Sequence, residues 1–382
     1  MGPGSGPFSL TGQANSMGAR VCASTDTWPG HREFEDPDAR AAVAETWGVP
    51  TGRLPDDPGP GVVRIVDAIA RGDVDVCWTV ATNPVVGLPD ANHVADVLDD
   101  AFLVVQDAFR SETVELADVV LPAATWGDSS GTVMNMERSV SRVTAATDPV
   151  ETVRRDLDIV AAIGSRIDGD LFDPPPVDPE AVFDEIRALT AGTSADISGI
   201  DYDRLDEELA VRWPAPDAES AGGYRYVDGE GWWFPTDSGL ARFSTATHRG
   251  VPEPVDGDYP LVLTTGRGAE GYNTGVRSGT GGPPSVRVHP ETVVTHIEAL
   301  SRGRTVVESR RGSVPVDVRP DDGVPPGVVW MEIHSPDANR LTLPAVDPES
   351  DQPNYKGCAV RLRPPEPSRP VSCSCVTRTR RR

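Results

Sequence analysis

The sequence predicts an α/β fold, a doubly wound and mainly parallel sheet followed by a small β-barrel. Three observations lead there. Between residues 62 and 121, apolar strand-like runs alternate with amphipathic helical stretches, the rhythm of a parallel sheet with helical crossovers. After Asp258 the pattern changes to short strands separated by Gly and Pro turns, as in a compact barrel of about 110 residues. No apolar run approaches the roughly 20 residues that span a bilayer.

The elements follow in order. Residues 1 to about 60 are rich in Gly, Pro and Asn, with one short helical piece near Asp38 to Trp47. Val62 to Arg71 carries apolar residues at helical spacing, and Gly72-Asp73 ends it. Val74 to Val80 is a strand, and Thr82-Asn83-Pro84 is the turn after it. A helix is expected from Pro89 to about Leu98, a strand over Ala101 to Val105, a short helix capped by Ser111 and ending near Ala117, and a strand over Val119 to Leu121. A longer amphipathic helix covers Val153 to Ile167, Pro174-Pro175-Pro176 punctuates, and helical stretches follow near Ala181 to Leu189 and Tyr202 to Val211. Barrel strands are expected at Tyr259 to Thr265, Arg304 to Ser309, Val314 to Val318, Val328 to Met331 and Cys358 to Leu362. The expected domains are therefore residues 1–212 (α/β), an irregular aromatic- and Gly-rich connector over 213–256, a barrel over 257–364, and a basic, Pro- and Ser-rich disordered tail over 365–382.

Length and charge bound the function. A chain of 382 residues accommodates about two to three domains. It holds 59 acidic and 35 basic residues for a net charge of -24, and Lys356 is the sole lysine. Acidic charge spread over the whole body argues against general nucleic-acid binding. It fits a carboxylate surface kept soluble in concentrated salt, where screening removes self-repulsion. A halophilic source is one explanation, and an ordinary acidic protein from a GC-rich genome is the other. The N-terminal Met1 to Pro7 segment lacks a basic start and an apolar stretch, so a cytoplasmic protein without a secretory signal is expected. Cys22, Cys77, Cys358, Cys373 and Cys375 form neither a disulfide framework nor a four-ligand metal set.

Ligands of open α/β sheets sit outside the carboxyl ends of the strands. Thr82-Asn83-Pro84 and Gln106-Asp107 fall there. A carboxylate so placed accepts the two N–H groups of a guanine edge, and Thr82 and Asn83 suit ribose or phosphate. Asn-Pro and Asp are equally ordinary turn formers. The first clear strand is not followed by G-x-G-x-x-G, which counts against an NAD-type Rossmann protein.

Thr82-Asn83-Pro84, Gln106-Asp107-Ala108-Phe109, the Ala117 to Ala123 run, Trp126-Gly127 and Gly131-Thr132-Val133, continued by Asn135 to Arg138 and Ser141-Arg142, resemble the third domain of molybdopterin oxidoreductases. These enzymes bind molybdenum through two molybdopterin guanine dinucleotides. Leu263 to Arg267 followed by Tyr272-Asn273-Thr274-Gly275 and Arg277 resembles the family's fourth, double-psi-like barrel domain, which closes over the cofactor. In that loop glycines admit close backbone approach to a pyrophosphate, with Arg267 and Arg277 available to its oxygens. A Gly-rich hairpin is the plain alternative. The run Asn339-Arg340-Leu341-Thr342, Asp347-Pro348, Gln352-Pro353 and Tyr355 to Val360 is similar to the closing motif. The resemblance makes Thr82, Asn83, Pro84, Gln106, Asp107, Gly266, Arg267, Asn273, Thr274, Arg277, Asn339, Tyr355 and Lys356 candidate cofactor contacts. The segment Gly6 to Asn15 resembles a loop of the nitrate reductase branch, which makes Gln13, Asn15 and Arg20 candidates for a substrate funnel taking nitrate or another small anion.

The resemblance also implies what to look for elsewhere. Relatives of the nitrate reductase type carry four cysteines for a [4Fe–4S] cluster and a molybdenum-ligating Cys, Ser, Asp or selenocysteine upstream of that loop. No residue here matches either, so no catalytic or metal-ligating residue is assigned. The expectation is the C-terminal half of an assimilatory-type nitrate reductase catalytic subunit, partnered by an N-terminal half or by an electron donor such as ferredoxin. A formate dehydrogenase alpha-type subunit is the alternative within the family. A truncated, non-catalytic molybdopterin-binding fragment is the alternative outside enzymes.

Overall fold

The computed structural model describes residues 13–22, 27–150, 152–169, 174–223, 226–228, 231–234, 236–245, 247–269, 271–276, 283–300 and 303–365. The Gly6 to Gly12 part of the N-terminal loop, Arg277, Cys373, Cys375 and the tail beyond residue 365 lie outside these. The chain divides into two compact units. The first comprises Met1–Pro60, Gln106–Ala108 and Leu121–His248; the second comprises Gly61–Val105, Phe109–Val120 and Arg249–Arg382.

The second unit joins an α/β piece to the barrel. Its helix α1 (Val62–Arg71) buries Val66 and Ile69 and ends at Gly72, whose φ of 79° places it in the left-handed cap that glycine adopts without strain. Strands β1 (Val76–Val80), β2 (Phe102–Asp107) and β3 (Val119–Pro122) form a sheet in that order. The Asp118 N–H donates to the Leu103 carbonyl and the Ala123 N–H to the Asp107 carbonyl, so pairing advances in the same direction along β2 and β3 and the two run parallel. Between β1 and β2 the chain makes a single turn, α2 (Pro84–Gly87), then α3 (Ala91–Asp100). Helix α3 buries Val94, Val97 and Leu98 at helical spacing, and these pack with Val66 and Ile69 of α1 on Leu103 and Val105 of β2.

Two local expectations change here. The helix expected from Pro89 begins at Ala91, and the short helix expected after Ser111 is only a 3₁₀ turn over Val114–Leu116. Seven residues do not repay helix nucleation, and Thr113 commits its hydroxyl to Asn83 instead.

The barrel strands are β4 (Leu261–Gly266), β5 (Ser285–Val288), β6 (Arg304–Glu308), β7 (Ser313–Pro320), β8 (Val328–Glu332) and β9 (Cys358–Arg363). They close in the order β4-β8-β5-β7-β6-β9. The pairs β4–β8 and β5–β7 are parallel and the rest antiparallel. Closure removes the sheet edges. Alternate residues point inward: Leu261 and Leu263, Val286 and Val288, Val314 and Val316, Val329 and Met331, Val360 and Leu362 form one core. Strand β5 was not expected, since only four residues follow a run dense in Gly and Pro.

Hydrogen bonds knit the α/β piece to the barrel within this unit. The Asp90 N–H donates to the Thr342 carbonyl at 3.1 Å, and the buried Asn339 amide donates to the Val86 carbonyl at 2.7 Å. The compact units therefore cut across the sequential order of an α/β domain, a connector and a barrel. The end of the connector is held by Glu253, whose carboxylate accepts from Arg311 at 2.9 and 2.8 Å, from Arg310 at 2.9 Å and from the Ala359 N–H at 2.9 Å. Burial pushes this carboxyl up, but the bonds from Arg311, Ala359 and Arg310 outweigh it and hold the group at about 2.

The first unit packs helices Asp156–Ile167, Pro179–Thr190 and Tyr202–Glu208 with a small antiparallel sheet of Gly131–Met134, Ser139–Val143 and Val211–Arg212. Phe183, Ile197, Ile200, Leu205 and the fully buried Trp213 form its main core. Arg138 lies over the Trp213 ring at 5.1 Å. Among the described residues no helix is long and apolar enough to cross a membrane.

Candidate functional site

In the second unit, β4 and β8 run in parallel register with Gly266 opposite Glu332. Side chains therefore rise from β8 and its continuation at every second residue: Trp330, Glu332, His334. Three glycines of β4 and the following loop lie against them. A Cβ on Gly266 would come within 2.5 Å of the Trp330 indole Nε1, one on Gly268 within 2.7 Å of the Glu332 carboxylate, and one on Gly271 within 2.0 Å of the His334 ring. Glycine is required here because the loop backbone presses on these side chains. Besides the close backbone approach to a pyrophosphate expected of this loop, Gly266, Gly268 and Gly271 make room for the Trp330, Glu332 and His334 side chains.

His334 is fully buried. Its Nδ1 lies 2.6 Å from the backbone carbonyl of Asn273. A carbonyl only accepts, so Nδ1 carries the proton and Nε2 is left as the acceptor. That Nε2 is buried without a hydrogen-bond partner among the described residues. Asn273 itself sits at φ 45°, a left-handed position that Asn tolerates better than most residues. His334 borders a cavity of about 360 Å³ whose walls include Arg110, Glu112, Thr274, Glu332 and Asp337.

Asn83 anchors one side of this site. Its amide nitrogen donates to Glu112 at 2.8 Å and to the Thr274 hydroxyl at 3.2 Å. Its oxygen accepts from the Thr113 hydroxyl at 2.7 Å and the Thr113 N–H at 3.3 Å. The whole hydrogen-bonding capacity of the side chain is used. Asn83 thus joins the turn after β1 to the loop after β4, with Pro84 buried beside it and Thr82 exposed. The Asn339 side chain also bonds inside the protein, donating to the Val86 carbonyl at 2.7 Å and accepting from the Thr342 hydroxyl at 3.0 Å. Around the end of β4, the Lys356 ammonium donates to the Thr265 carbonyl at 2.5 Å, and the Thr265 hydroxyl donates to the Tyr355 carbonyl at 2.9 Å. Burial raises the Tyr355 phenol, which therefore stays neutral. Arg267 is exposed on the loop.

The remaining candidates lie in the first unit. Gln106 is fully buried, donates to Asp156 at 2.6 Å, and leaves its Oε1 without a partner among the described residues. Asp107 ends β2 half-buried, its backbone carbonyl paired with the Ala123 N–H at 3.1 Å. Asn15, at φ 61°, accepts the Met134 N–H at 2.9 Å, so its side chain fixes the N-terminal helix Ser16–Val21 to the strand Gly131–Met134. The Gln13 side chain is exposed and its carbonyl accepts from Ser16; Arg20 is exposed in the helix's last turn. Asn83, Asn273, Thr274, Asn339, Tyr355 and Lys356 thus fall in the second unit, and Gln13, Asn15, Arg20, Gln106 and Asp107 in the first.

Sequence reasoning missed His334, Glu112 and Arg110. The pattern Trp330-x-Glu332-x-His334 continues strand periodicity past β8 and faces the spaced glycines 266, 268 and 271, a pairing that becomes visible only once β4 and β8 are known to be neighbours. Among the described residues no group of three His, Cys, Asp or Glu side chains is disposed to hold a metal ion.

A parallel sheet, a closed mixed barrel and a polar, glycine-backed cavity together form a frame on which a small-molecule cofactor can be held. Residues 2–166 match the family model of molybdopterin oxidoreductases and residues 261–359 that of the molybdopterin dinucleotide binding domain. The chain belongs to the molybdopterin oxidoreductase family. It is 61% identical over 374 residues to the assimilatory nitrate reductase of Haloferax mediterranei, a match covering 96% of this chain and 52% of that protein. To the assimilatory nitrate reductase catalytic subunit of Bacillus subtilis it is 34% identical over 376 residues, covering 95% and 52%. To the F420-dependent formate dehydrogenase subunit alpha of Methanocaldococcus jannaschii it is 32% identical over 371 residues, covering 94% and 53%. Acetylene hydratase from Pelobacter acetylenicus shares the fold, with a TM-score of 0.58 at 16% identity over 87% of this chain and 51% of that one. The chain spans about half the length of the curated relatives it matches.

Proposed function

We propose that this chain is the cofactor-gripping portion of an assimilatory-type nitrate reductase, holding bis-molybdopterin guanine dinucleotide while nitrate is reduced to nitrite. The observation that carries this reading is the 61% identity to the haloarchaeal assimilatory enzyme across 96% of the chain, against 32% for the formate dehydrogenase subunit.

The residues fit the cofactor. A pterin dinucleotide is rich in amide-type donors and phosphate oxygens. The cavity offers the unpartnered His334 Nε2 and the Thr274 hydroxyl, and Arg267 is exposed on the loop beside them. Asp107 accepts the guanine N–H pair. Arg267 and Arg277 pair with pyrophosphate, while Tyr355 and Lys356 border the pterin. Asn83, bonded to Glu112, Thr113 and Thr274, and Asn339, bonded to Val86 and Thr342, hold these loops in place around the ligand. Gln13, Asn15 and Arg20 shape the anion's approach, with Asn15 working through its bond to Met134. When bound, the molybdenum cofactor supplies two-electron oxygen-atom transfer. The protein's residues bind, orient and shield it. A cytoplasmic location and an electron donor of the ferredoxin kind complete the reading.

The test is turnover. This chain, coexpressed in molar KCl with the half of the Haloferax relative that it does not span, should form nitrite from nitrate with reduced viologen as donor. Formate oxidation without nitrate reduction would overturn the nitrate reading in favour of the formate dehydrogenase type.

A further inference from the structure

Gln106, the last residue but one of β2, is a fully buried polar side chain. Its amide nitrogen donates to the Asp156 carboxylate at 2.6 Å. A carboxylate only accepts, so this partner fixes which way round the amide lies. The Gln106 Oε1 has no partner among the described residues, so the orientation of the amide hangs on Asp156. Residues 154–156 are themselves anchored one by one. The Arg154 N–H donates to the Pro122 carbonyl at 3.2 Å, and the Arg154 carbonyl accepts from the Ala124 N–H at 2.8 Å, a parallel bridge beside the end of β3. The Arg155 guanidinium donates to the Asp128 carbonyl at 3.2 Å. Asp156 then opens the helix Asp156–Ile167, where a carboxylate suits the positive end of the helix dipole. This brace reaches Asp107 twice: the Ala123 N–H donates to the Asp107 carbonyl at 3.1 Å, and Gln106 holds the residue before it. Successive strand residues point to opposite faces, so Gln106 grips the strand end from one face and Asp107 projects from the other. All these groups belong to the first unit.

We infer that Asp156 is a positioning residue for nucleobase recognition: it clamps the Gln106 amide, and through Gln106 it sets the Asp107 carboxylate square to the N1–H and 2-amino donors of a guanine edge. A carboxylate reads that pair of donors only when both of its oxygens face them, so a small rotation of the strand end loses one of the two bonds. The residue that supports the contact therefore decides whether the base is read by two bonds or by one. The inference rests on the reading that Asp107 takes the guanine, and it assigns Gln106 to the brace rather than to the ligand.

The experiment titrates guanosine monophosphate and inosine monophosphate into the full chain in molar KCl, followed by ligand-observed NMR. Inosine keeps the N1–H and lacks the 2-amino group, so the ratio of the two dissociation constants reads the second bond. Wild type should prefer the guanosine nucleotide by about tenfold, the ratio that corresponds to one hydrogen bond to a charged group. Asp156→Ala should bring the ratio to near unity. Asp156→Asn, whose Oδ1 still accepts from the Gln106 amide, should keep it. Asp158→Ala removes a carboxylate from the same first turn, one that accepts from the Val177 N–H at 2.9 Å, and should leave the ratio unchanged. Because Asp156→Ala alone strands a buried amide, a second variant, Gln106→Met with Asp156→Leu, replaces both partners by apolar groups of similar size; it should fold and still lose the ratio. General loosening of the fold weakens both nucleotides alike and preserves the ratio, and that result in either variant would overturn the inference, as would an Asp156→Asn chain that behaves like Asp156→Ala. A preference lost in Asp107→Ala but kept without the brace would remove the inference and leave the guanine reading standing. A wild type that binds the two nucleotides alike, or an Asp107→Ala chain that keeps the preference, would remove the guanine reading and the inference with it.

Discussion

Gly271→Ala is the sharpest local perturbation of the site. The added Cβ would lie 2.0 Å from His334 Cδ2, 2.4 Å from Cγ and 2.6 Å from Nε2. The neighbour is a rigid ring, fully buried and tied through Nδ1 to the Asn273 carbonyl, so no flexible end is available to yield. Overpacking costs about 1–3 kcal/mol. Displacing the ring also breaks its Nδ1 hydrogen bond to the Asn273 carbonyl, at about 0.5–1.5 kcal/mol. Reduced unfolded-state entropy returns about 0.4–1 kcal/mol. The balance is a loss of about 1–4 kcal/mol, read from denaturant unfolding in molar KCl. Gly257→Ala, where a Cβ meets nothing within 4 Å, serves as the control and should be neutral or slightly stabilising. The double variant Gly271→Ala with His334→Ala should recover part of the loss, since the clash then has no partner. A Gly271→Ala protein as stable as the Gly257→Ala control would refute the account of the glycine-backed loop.

Three further outcomes follow from other parts of the molecule. Asn83→Asp puts a carboxylate where an amide donates to Glu112 at 2.8 Å, and should cost about 2–4 kcal/mol in denaturant unfolding at pH 7; a variant as stable as the wild type would contradict the geometry. Glu253→Gln should cost about 3 kcal/mol by leaving Arg311 with a weakened partner. Because the Glu253 carboxyl is held at about 2 in the fold against an ordinary 4.5, its contribution is complete above about 4.5 and lost as pH falls toward 2; the stability gap between wild type and Glu253→Gln should therefore be flat above pH 5 and close below pH 4 in acid titrations. Melting temperature should rise from about 0.1 M to molar KCl, as the screening length falls from about 10 Å to about 3 Å around a chain of net charge -24, and indifference to salt would remove the halophilic reading.

Much of the architecture was legible because its period was strong. Val62–Arg71 with Gly72, the apolar run Ala101 to Val105, and the alternating barrel strands declare themselves one segment at a time. What failed to show were elements whose reason lies elsewhere in the chain. Ser285–Val288 is a strand because it fits between β7 and β8 to close the barrel, a demand no four-residue window expresses. The site was legible by motif at Asn83, Asn273 and Thr274, yet their bonds were not. Asn83 reads as a ligand-facing turn residue, but its amide is spent on Glu112, Thr113 and Thr274, up to 191 residues away in sequence. His334 looks like one of six scattered histidines until Gly271 and Asn273 are placed against it. Long-range register decides such roles, and a single sequence carries it only implicitly.

The central claim is that these residues grip a molybdopterin guanine dinucleotide. Its most direct test is the guanine nucleotide and molybdenum released by acid from this chain copurified with the unspanned half of the Haloferax relative. The account predicts both, in about a two-to-one ratio, with the guanine content falling sharply in Asp107→Ala while the complex stays folded. A folded complex that releases neither would contradict it.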